Sequence, residues 1–335
     1  MALALAPQVA WAADEPEKAS LSAMGGIPIN ISAWGIEPAS FDQAVKDIAA
    51  RIEDLESMIS TYREDSEVSR LNRGEKLVHV PHAIAKLAED AWWTSGLTSG
   101  AFDITVKPLV ELWRKCRKEQ RLPTEDELSA ARSKVGYHKY YARTKRFGTM
   151  PGSDCLTLAE PGVMLDFGGI AKGYFADEAV SILRLAGSSR CLVDIGGDIV
   201  TWQEYSAGAP FRVGINHPQH SGEVLAVLEI STGSVVTSGS YERYYEINGK
   251  RYCHIFDPRT GKPIEGMLSV TLTAPTGLDA DALATAVFVM GIDAGREFVE
   301  AFNWVEAVII AEGDDGGMEI YVSPGLVDRV EFIAQ

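Results

Sequence analysis

Between residues 40 and 62 apolar side chains recur at helical spacing, with Ile48, Ile52, Leu55 and Ile59 on one stripe and charged residues around the rest. That pattern predicts an amphipathic helix from Ser40, a favourable N-cap, to near Tyr62. Before it, residues 23–31 (AMGGIPINI) read as an opening strand, and after it STYREDSEVSRLN reads as a polar loop. A second helix starts at Pro81 and runs through Trp92 and Trp93; TSGLTSGAFDITVKPLVELW then passes through glycine turns into an apolar stretch. Residues 114–149 are charged and carry one short helix, announced by Thr124 and Glu127 at capping-box spacing. They read as a helical insertion or small lobe.

The most organised patterning lies at residues 162–200. Val163, Met164 and Leu165 read as a short strand broken by Gly168 and Gly169, and Ile170 to Ala186 follow with Tyr174, Val180 and Leu183 at helical spacing. A strand from Cys191 to Ile195 then ends at Gly196 and Gly197, followed by Asp198. Further strands are predicted at Phe211–Ile215, Val224–Ile230, Leu268–Ala274, Val305–Ile310, Met318–Val322 and Val327–Ile333, with an Asn248-Gly249 hairpin signal among them. Helices are predicted in LDADALATAVFVMG, read as amphipathic, and from an Asp293 cap to Phe302. Hairpins beside helices, rather than strict strand-helix alternation, indicate an α+β fold with mixed or antiparallel sheets flanked by helices.

Composition narrows the function. The chain has 335 residues, 46% of them hydrophobic, a net charge of -16 and a pI near 4.9. An acidic chain of this kind offers no bare surface for nucleic acid or anionic membrane, and no apolar run reaches a membrane span. An anionic small ligand would need local lysines, backbone amides or a metal. Residues 1–22 read as the remnant of an export signal plus a linker, because an apolar run ends in Ala10-Trp11-Ala12 before acidic residues; a periplasmic location is expected. Cys116, Cys155, Cys191 and Cys253 show no paired spacing, and Cys191 and Cys253 sit in apolar strand contexts that favour inert buried thiols. The pairs His79 with His82 and His217 with His220 lie in proline-rich loops and read as surface residues.

Three places could carry chemistry. The Gly-Gly breaks at 168–169 and 196–197, with a helix between, are either ordinary tight connections or bare amides and a helix N-terminus set for an anion. Lys172, in the first turn of that helix, opposes the helix dipole, which a nearby negative partner would explain. Asp281 and Thr285 lie four residues apart and share a helix face. They suit hard-oxygen ligation of Mg²⁺, although Asp279 and Asp281 also fit simple helix capping. His254, in an aromatic and apolar strand, is either a structural histidine or the best-placed general base for activating an alcohol.

The chain resembles the ApbE-type FAD:protein FMN transferase family from about residue 23 to 322. The resemblance is carried, in order, by AMGG, the Ser-Glu-x-x-x-x-Asn of DSEVSRLN, AFDITVKPLVELW, LDFGGIAKGYFAD, VDIGGDI, TSGSY, HIFDPRTG and DADALATAVFVMG. It implies a flavin transferase domain over residues 23–335, a T-fold-related α+β architecture, bound FAD, and Mg²⁺ at the FAD diphosphate. Matched residue by residue, it implies FAD contacts from Met24, Tyr62, Ala101, Phe102, Asp103, Asp166, Lys172 and the Ile255 backbone. It implies metal ligation by the Gly169 carbonyl, Asp281 and Thr285, and catalytic roles for His254, Lys172 and Asp281. The implied reaction moves FMN from FAD to a Ser or Thr hydroxyl of an acceptor protein and releases AMP. The acceptor is expected to be a membrane-bound respiratory or nitrogen-oxide-reducing subunit, and nothing in the sequence fixes the oligomeric state. Two rivals stand beside this reading: an FAD pyrophosphatase giving FMN and AMP, and a non-catalytic FAD-binding accessory protein. The chain departs from the family at Met24-Gly25-Gly26, where Met-Gly-Thr is usual, and at Ala284, where some members place a second metal carboxylate.

Overall fold

The structure, a computed structural model, describes residues 15–77, 80–144, 154–204, 208–240, 244–314 and 316–333. It opens with a hairpin of β1 (Glu17–Ala23) and β2 (Ile27–Trp34) that turns at Met24, Gly25 and Gly26, all with positive φ. Residues 17–22 therefore belong to the sheet rather than to a linker. Only Ala19, Leu21 and Ala23 face the core from β1, too weak an alternation to announce an edge strand. Residues 1–14, with the expected export signal, and His79 lie outside the described residues.

α1 (Pro38–Ile59) buries the stripe expected of it, but begins with Pro38 in its first turn and Glu37 at the cap rather than at Ser40. Proline's fixed φ and missing N–H suit that position. α2 (Glu67–Asn72) occupies what reads as a loop. Its start is fixed by Ser66, whose hydroxyl accepts from the Ser69 N–H at 3.0 Å. α3 (His82–Leu97), α4 (Lys107–Lys118) and α5 (Glu125–Arg132) follow, the last with its Thr124–Glu127 capping box formed. Because α4 runs straight across Arg114, no break separates the charged segment from the apolar one before it. β3 (Tyr140–Arg143) and β4 (Cys155–Leu158) form a small ribbon against α3.

Residues 163–165 are extended but join no sheet. The Asn72 side-chain amide takes the place of a neighbouring strand, accepting from the Leu165 N–H at 2.7 Å and donating to the Leu165 carbonyl at 2.9 Å. α6 (Ala171–Leu185) and β5 (Arg190–Ile195) form as the pattern indicates; β6 (Asp198–Gln203), which the pattern does not announce, pairs with β5 in a hairpin that Gly196 and Gly197 turn at positive φ. β7 (Phe211–Asn216), β8 (Val224–Ile230), β9 (Gly233–Gly239), β10 (Tyr244–Ile247), β11 (Lys250–Cys253) and β12 (Met267–Ala274) come next. The chain closes with α7 (Gly277–Met290), α8 (Ile292–Glu300), β13 (Glu306–Glu312), β14 (Met318–Val322) and β15 (Val330–Phe332). Asp293 lies in the first turn of α8, with Gly291 at the cap.

The main sheet has eight strands in the order β1-β2-β5-β6-β9-β12-β13-β14, and every described pairing is antiparallel. Helices α1, α6, α7 and α8 cover one face. The three-stranded sheet β15-β8-β7 covers the other, where Phe211, Val213 and Leu228 meet Val235, Val308 and Ile310. β12 lies between the two layers and is buried at every position, Ser269, Thr271 and Thr273 included. α7 is likewise buried on all sides rather than amphipathic. A carboxylate on such a helix must find partners inside the protein, because an isolated buried charge is very costly.

Candidate active site

One cleft of 1260 Å³ collects Met24, Tyr62, Ala101, Phe102, Asp103, Asp166, Gly169, Lys172, His254, Ile255, Asp281 and Thr285. Every site residue named from the sequence lines it. They arrive from the β1–β2 turn, the end of α1, the loops before α4 and α6, the residues after β11, and α7.

The two acidic residues of DADA have separate tasks. Asp279 supports the start of α7, where Thr276 is the N-cap: the Asp279 N–H donates to Thr276 Oγ1 at 3.1 Å, and the Thr276 hydroxyl donates to Asp279 Oδ2 at 2.6 Å. Asp281, 4% exposed, points at α6, where its Oδ2 accepts from the Gly173 N–H at 3.1 Å. That N–H belongs to the first turn of α6, whose amides have no acceptor within the helix. Burial pushes the Asp281 carboxyl up from its ordinary range, opposed first by the Lys172 charge. Thr285 lies one turn further along α7 with its hydroxyl 3.4 Å from Ser238 Oγ. A Cβ on Gly169 would stand 3.4 Å from Thr285 Oγ1 and 3.3 Å from the Phe102 ring, so the backbone there lies against the threonine.

A carboxylate, a hydroxyl and a backbone carbonyl are hard oxygen donors and fit Mg²⁺, which ordinarily completes its shell with water and substrate phosphate. Among the described residues no cluster of three His, Cys, Asp or Glu could hold a metal without such help.

Lys172 has its negative partner within the protein. Its Nζ is 2.8 Å from Asp198 Oδ1, a carboxylate buried at the start of β6 and also in contact with Asp281. The backbone amides expected to receive an anion are largely taken as well. Gly168 N–H donates to Asp166 Oδ1 at 3.0 Å, Gly197 N–H to Asp194 Oδ1 at 2.8 Å, and Gly196 N–H to the Pro28 carbonyl at 3.0 Å. The glycine pairs are thus mainly tight connections, as the simpler reading of them held.

At the other end of the cleft Tyr62 is 79% exposed, with the Arg114 guanidinium 5.5 Å and the Lys107 ammonium 5.9 Å from its ring centre. Lys107 is buried and lies 3.6 Å from Asp166 Oδ2. Asp103 caps the turn before α4 through Oδ1, which accepts from the Thr105 N–H at 2.8 Å and the Thr105 hydroxyl at 2.7 Å. Burial raises its carboxyl to about 6. Met24 holds a left-handed φ of 50°, and its N–H donates to Glu56 Oε2 at 2.9 Å. With Arg63, Arg114, Arg117 and Lys172 on its walls, the cleft offers cations that the net charge of the chain conceals.

His254 lies one residue beyond β11, half-buried at the cleft wall, rather than inside the strand. The Ile255 backbone already has protein partners: its N–H donates to Cys253 Sγ at 3.4 Å and its carbonyl accepts from the Ile264 N–H at 3.1 Å. The four cysteines are unpaired thiols, and burial raises those of Cys191 and Cys253. His217 is not a surface residue. It is 3% exposed, and its Nδ1 accepts from the Gln219 and His220 N–H groups, both at 3.1 Å.

Sequence reading missed Asp198, Asn72, Lys107, Glu56 and Ser238 as parts of the site. Asn72 and Ser238 carried a signal, since they stand inside the DSEVSRLN and TSGSY motifs. Asp198 and Lys107 carried the same kind of signal, standing inside VDIGGDI and AFDITVKPLVELW.

The fold and the cleft together define an α+β ligand-binding protein with an oxygen-donor site where two helices cross. Comparison with known proteins makes the class specific: the ApbE family model matches residues 25–309, and the chain belongs to that family. A FAD:protein FMN transferase of Salmonella typhimurium is 32% identical over 300 residues, covering 88% of this chain and 84% of its own. One from Vibrio cholerae is 35% identical over 277 residues, covering 80% and 79%. The solved flavin transferase ApbE from Vibrio cholerae matches with a TM-score of 0.77 at 31% identity, over 94% of this chain and 99% of that one. The ApbE protein from Thermotoga maritima matches with a TM-score of 0.79 at 30% identity, over 93% and 98%. The α+β architecture expected from the sequence is the one these structures share.

Proposed function

We propose that the protein is an FAD:protein FMN transferase that uses Mg²⁺ and modifies a Ser or Thr hydroxyl of an acceptor protein. The observation that carries this is the meeting of Asp281 and Thr285 with the Gly169 backbone in a cleft that also contains His254 and Tyr62. The names of the relatives support flavin transfer; the metal and the hydroxyl acceptor rest on the chemistry of the donor set and of the histidine.

The acceptor hydroxyl oxygen forms a bond to the FMN phosphorus of FAD as the diphosphate P–O bond breaks, so that AMP leaves and a phosphoester joins flavin to protein. His254 takes the hydroxyl proton. Mg²⁺, when held by Asp281, Thr285 and the Gly169 carbonyl, would supply charge neutralisation at the diphosphate. Lys172, steered by Asp198, adds a positive charge at that end, while Met24, Ala101, Phe102, Asp103, Asp166 and the Ile255 region shape the flavin end. Tyr62 offers a planar ring for the isoalloxazine to flank. The acceptor is a flavoprotein subunit of a respiratory or nitrogen-oxide-reducing membrane complex, reached from the periplasmic side. Among the described residues no helix is long and apolar enough to cross a membrane.

The test combines protein, FAD, Mg²⁺ and an acceptor bearing a Ser/Thr-Gly-Ala-Ser/Thr segment, followed by in-gel flavin fluorescence and AMP measurement. A fluorescent acceptor with equimolar AMP is expected. FMN and AMP with a dark acceptor would identify a pyrophosphatase; bound FAD without either product would identify an accessory protein.

A further inference from the structure

The helices that bring the metal-binding candidates together are each capped by a carboxylate from the other. Asp177, on α6, accepts from the first two amides of α7: the Gly277 N–H reaches Oδ1 at 2.7 Å and the Leu278 N–H reaches Oδ2 at 2.9 Å. Asp281, on α7, returns the contact at the start of α6 through the Gly173 N–H at 3.1 Å. Between these caps the backbones touch. A Cβ on Gly173 would fall 2.0 Å from the Gly277 carbonyl oxygen, and one on Gly277 would fall 2.4 Å from the Gly173 carbonyl oxygen. The two helix backbones meet directly there, with the Val200 side chain of β6 closed against Gly277, so the glycines and the two carboxylates sit at the tightest point of the crossing.

The donor set is split across this crossing. Gly169 leads into α6, whereas Asp281 and Thr285 sit on successive turns of α7. We propose that Asp177 is a positioning residue for metal binding: by fastening the first turn of α7 to α6, it fixes how far Asp281 and Thr285 stand from the Gly169 carbonyl. Asp177 does not line the cleft and touches none of the three donors itself. The inference rests on the reading that these three groups hold Mg²⁺. A cap that served only α7 would change stability and leave the metal affinity of the folded protein alone. Positioning requires the affinity to move, since groups that orient metal ligands typically alter affinity by about 10–100-fold when removed.

The experiment is calorimetric titration of the FAD-loaded protein with Mg²⁺, well below each variant's unfolding midpoint, for wild type, Asp177→Ala, Asp177→Asn and Asp281→Ala. FAD affinity is measured separately without Mg²⁺. Asp177→Ala is expected to weaken Mg²⁺ binding about tenfold or more with little change in FAD affinity. Asp177→Asn, whose single amide oxygen can keep one of the two bonds, should fall between it and wild type. Wild-type Mg²⁺ affinity in Asp177→Ala, beside lost binding in Asp281→Ala, overturns the positioning role. If the alanine variant does not fold, wild-type affinity in the asparagine variant overturns it equally. Wild-type affinity in Asp281→Ala is a different failure, since it removes the metal reading itself.

Discussion

Lys172 Nζ lies 2.8 Å from Asp198 Oδ1, and Asp198 is 1% exposed. With Asp281 beside them, two buried acids share one ammonium, which leaves this corner of the cleft short of positive charge. Removing one partner of a buried ion pair is far more harmful than the pair is helpful, because the other charge stays behind. Lys172→Met is therefore expected to lower the unfolding free energy by about 3 kcal/mol, read from urea denaturation. An unchanged midpoint and slope would show that Asp198 does not depend on the lysine.

Gly173→Ala is expected to be among the most damaging small substitutions in the chain. Its Cβ would lie 2.0 Å from the Gly277 carbonyl, a backbone atom that cannot rotate away. Separating the helices to relieve the clash breaks the bonds of both caps. A loss of about 3 kcal/mol or more is expected, seen as a clear fall in Tm. A variant that melts with the wild type would mean that the crossing is looser than described.

His254→Ala is expected to fold and bind FAD while losing transfer by a factor of about 10²–10⁴, the usual scale for removing a general base. The measurement is single-turnover labelling of the acceptor with FAD saturating. Because His254 stands at the cleft wall beyond β11, its removal leaves the β10–β11 pairing and the main sheet intact. Labelling at the wild-type rate would exclude it from the proton transfer.

Asp103 supplies a pH signature. Burial raises its carboxyl from 3.8 to about 6, so the folded protein holds this proton more tightly than the unfolded chain does. Its contribution to stability is then present below about pH 4 and is lost as the pH rises through about 6. Asp103→Asn cannot titrate. The stability of wild type minus that of Asp103→Asn is therefore expected to fall by about 2 kcal/mol between pH 4 and 7, measured by denaturation across that range. A difference that stays flat or rises with pH would contradict the buried, protonated carboxyl.

Much of this protein can be read from residue order alone. The stripe of α1, the capping box of α5, the helix and strand from Ile170 to Ile195, and the Asn248-Gly249 turn follow from spacing and turn chemistry, which act within a few residues. The cleft likewise gathers every site residue named from the sequence, although Asp198, Lys107 and Glu56, which pair with them, were not among those named. Local pattern erred where a neighbour from elsewhere supplies what is missing. Residues 163–165 are extended because Asn72 bonds them, β1 exists because β2 pairs with it, and His217 is buried because its own turn wraps over it. Asp279 and Asp281 both suit a helix start by their spacing; the packing of α6 against α7 leaves Asp279 with the Thr276 cap and turns Asp281 to the first turn of α6. The partner of Lys172 is 26 positions away, and the reciprocal caps join residues 100 and 108 positions apart. Periodicity states which face of an element is apolar, but which carboxylate meets which amide depends on how rigid elements come to rest against one another, and that is fixed only when the whole core closes.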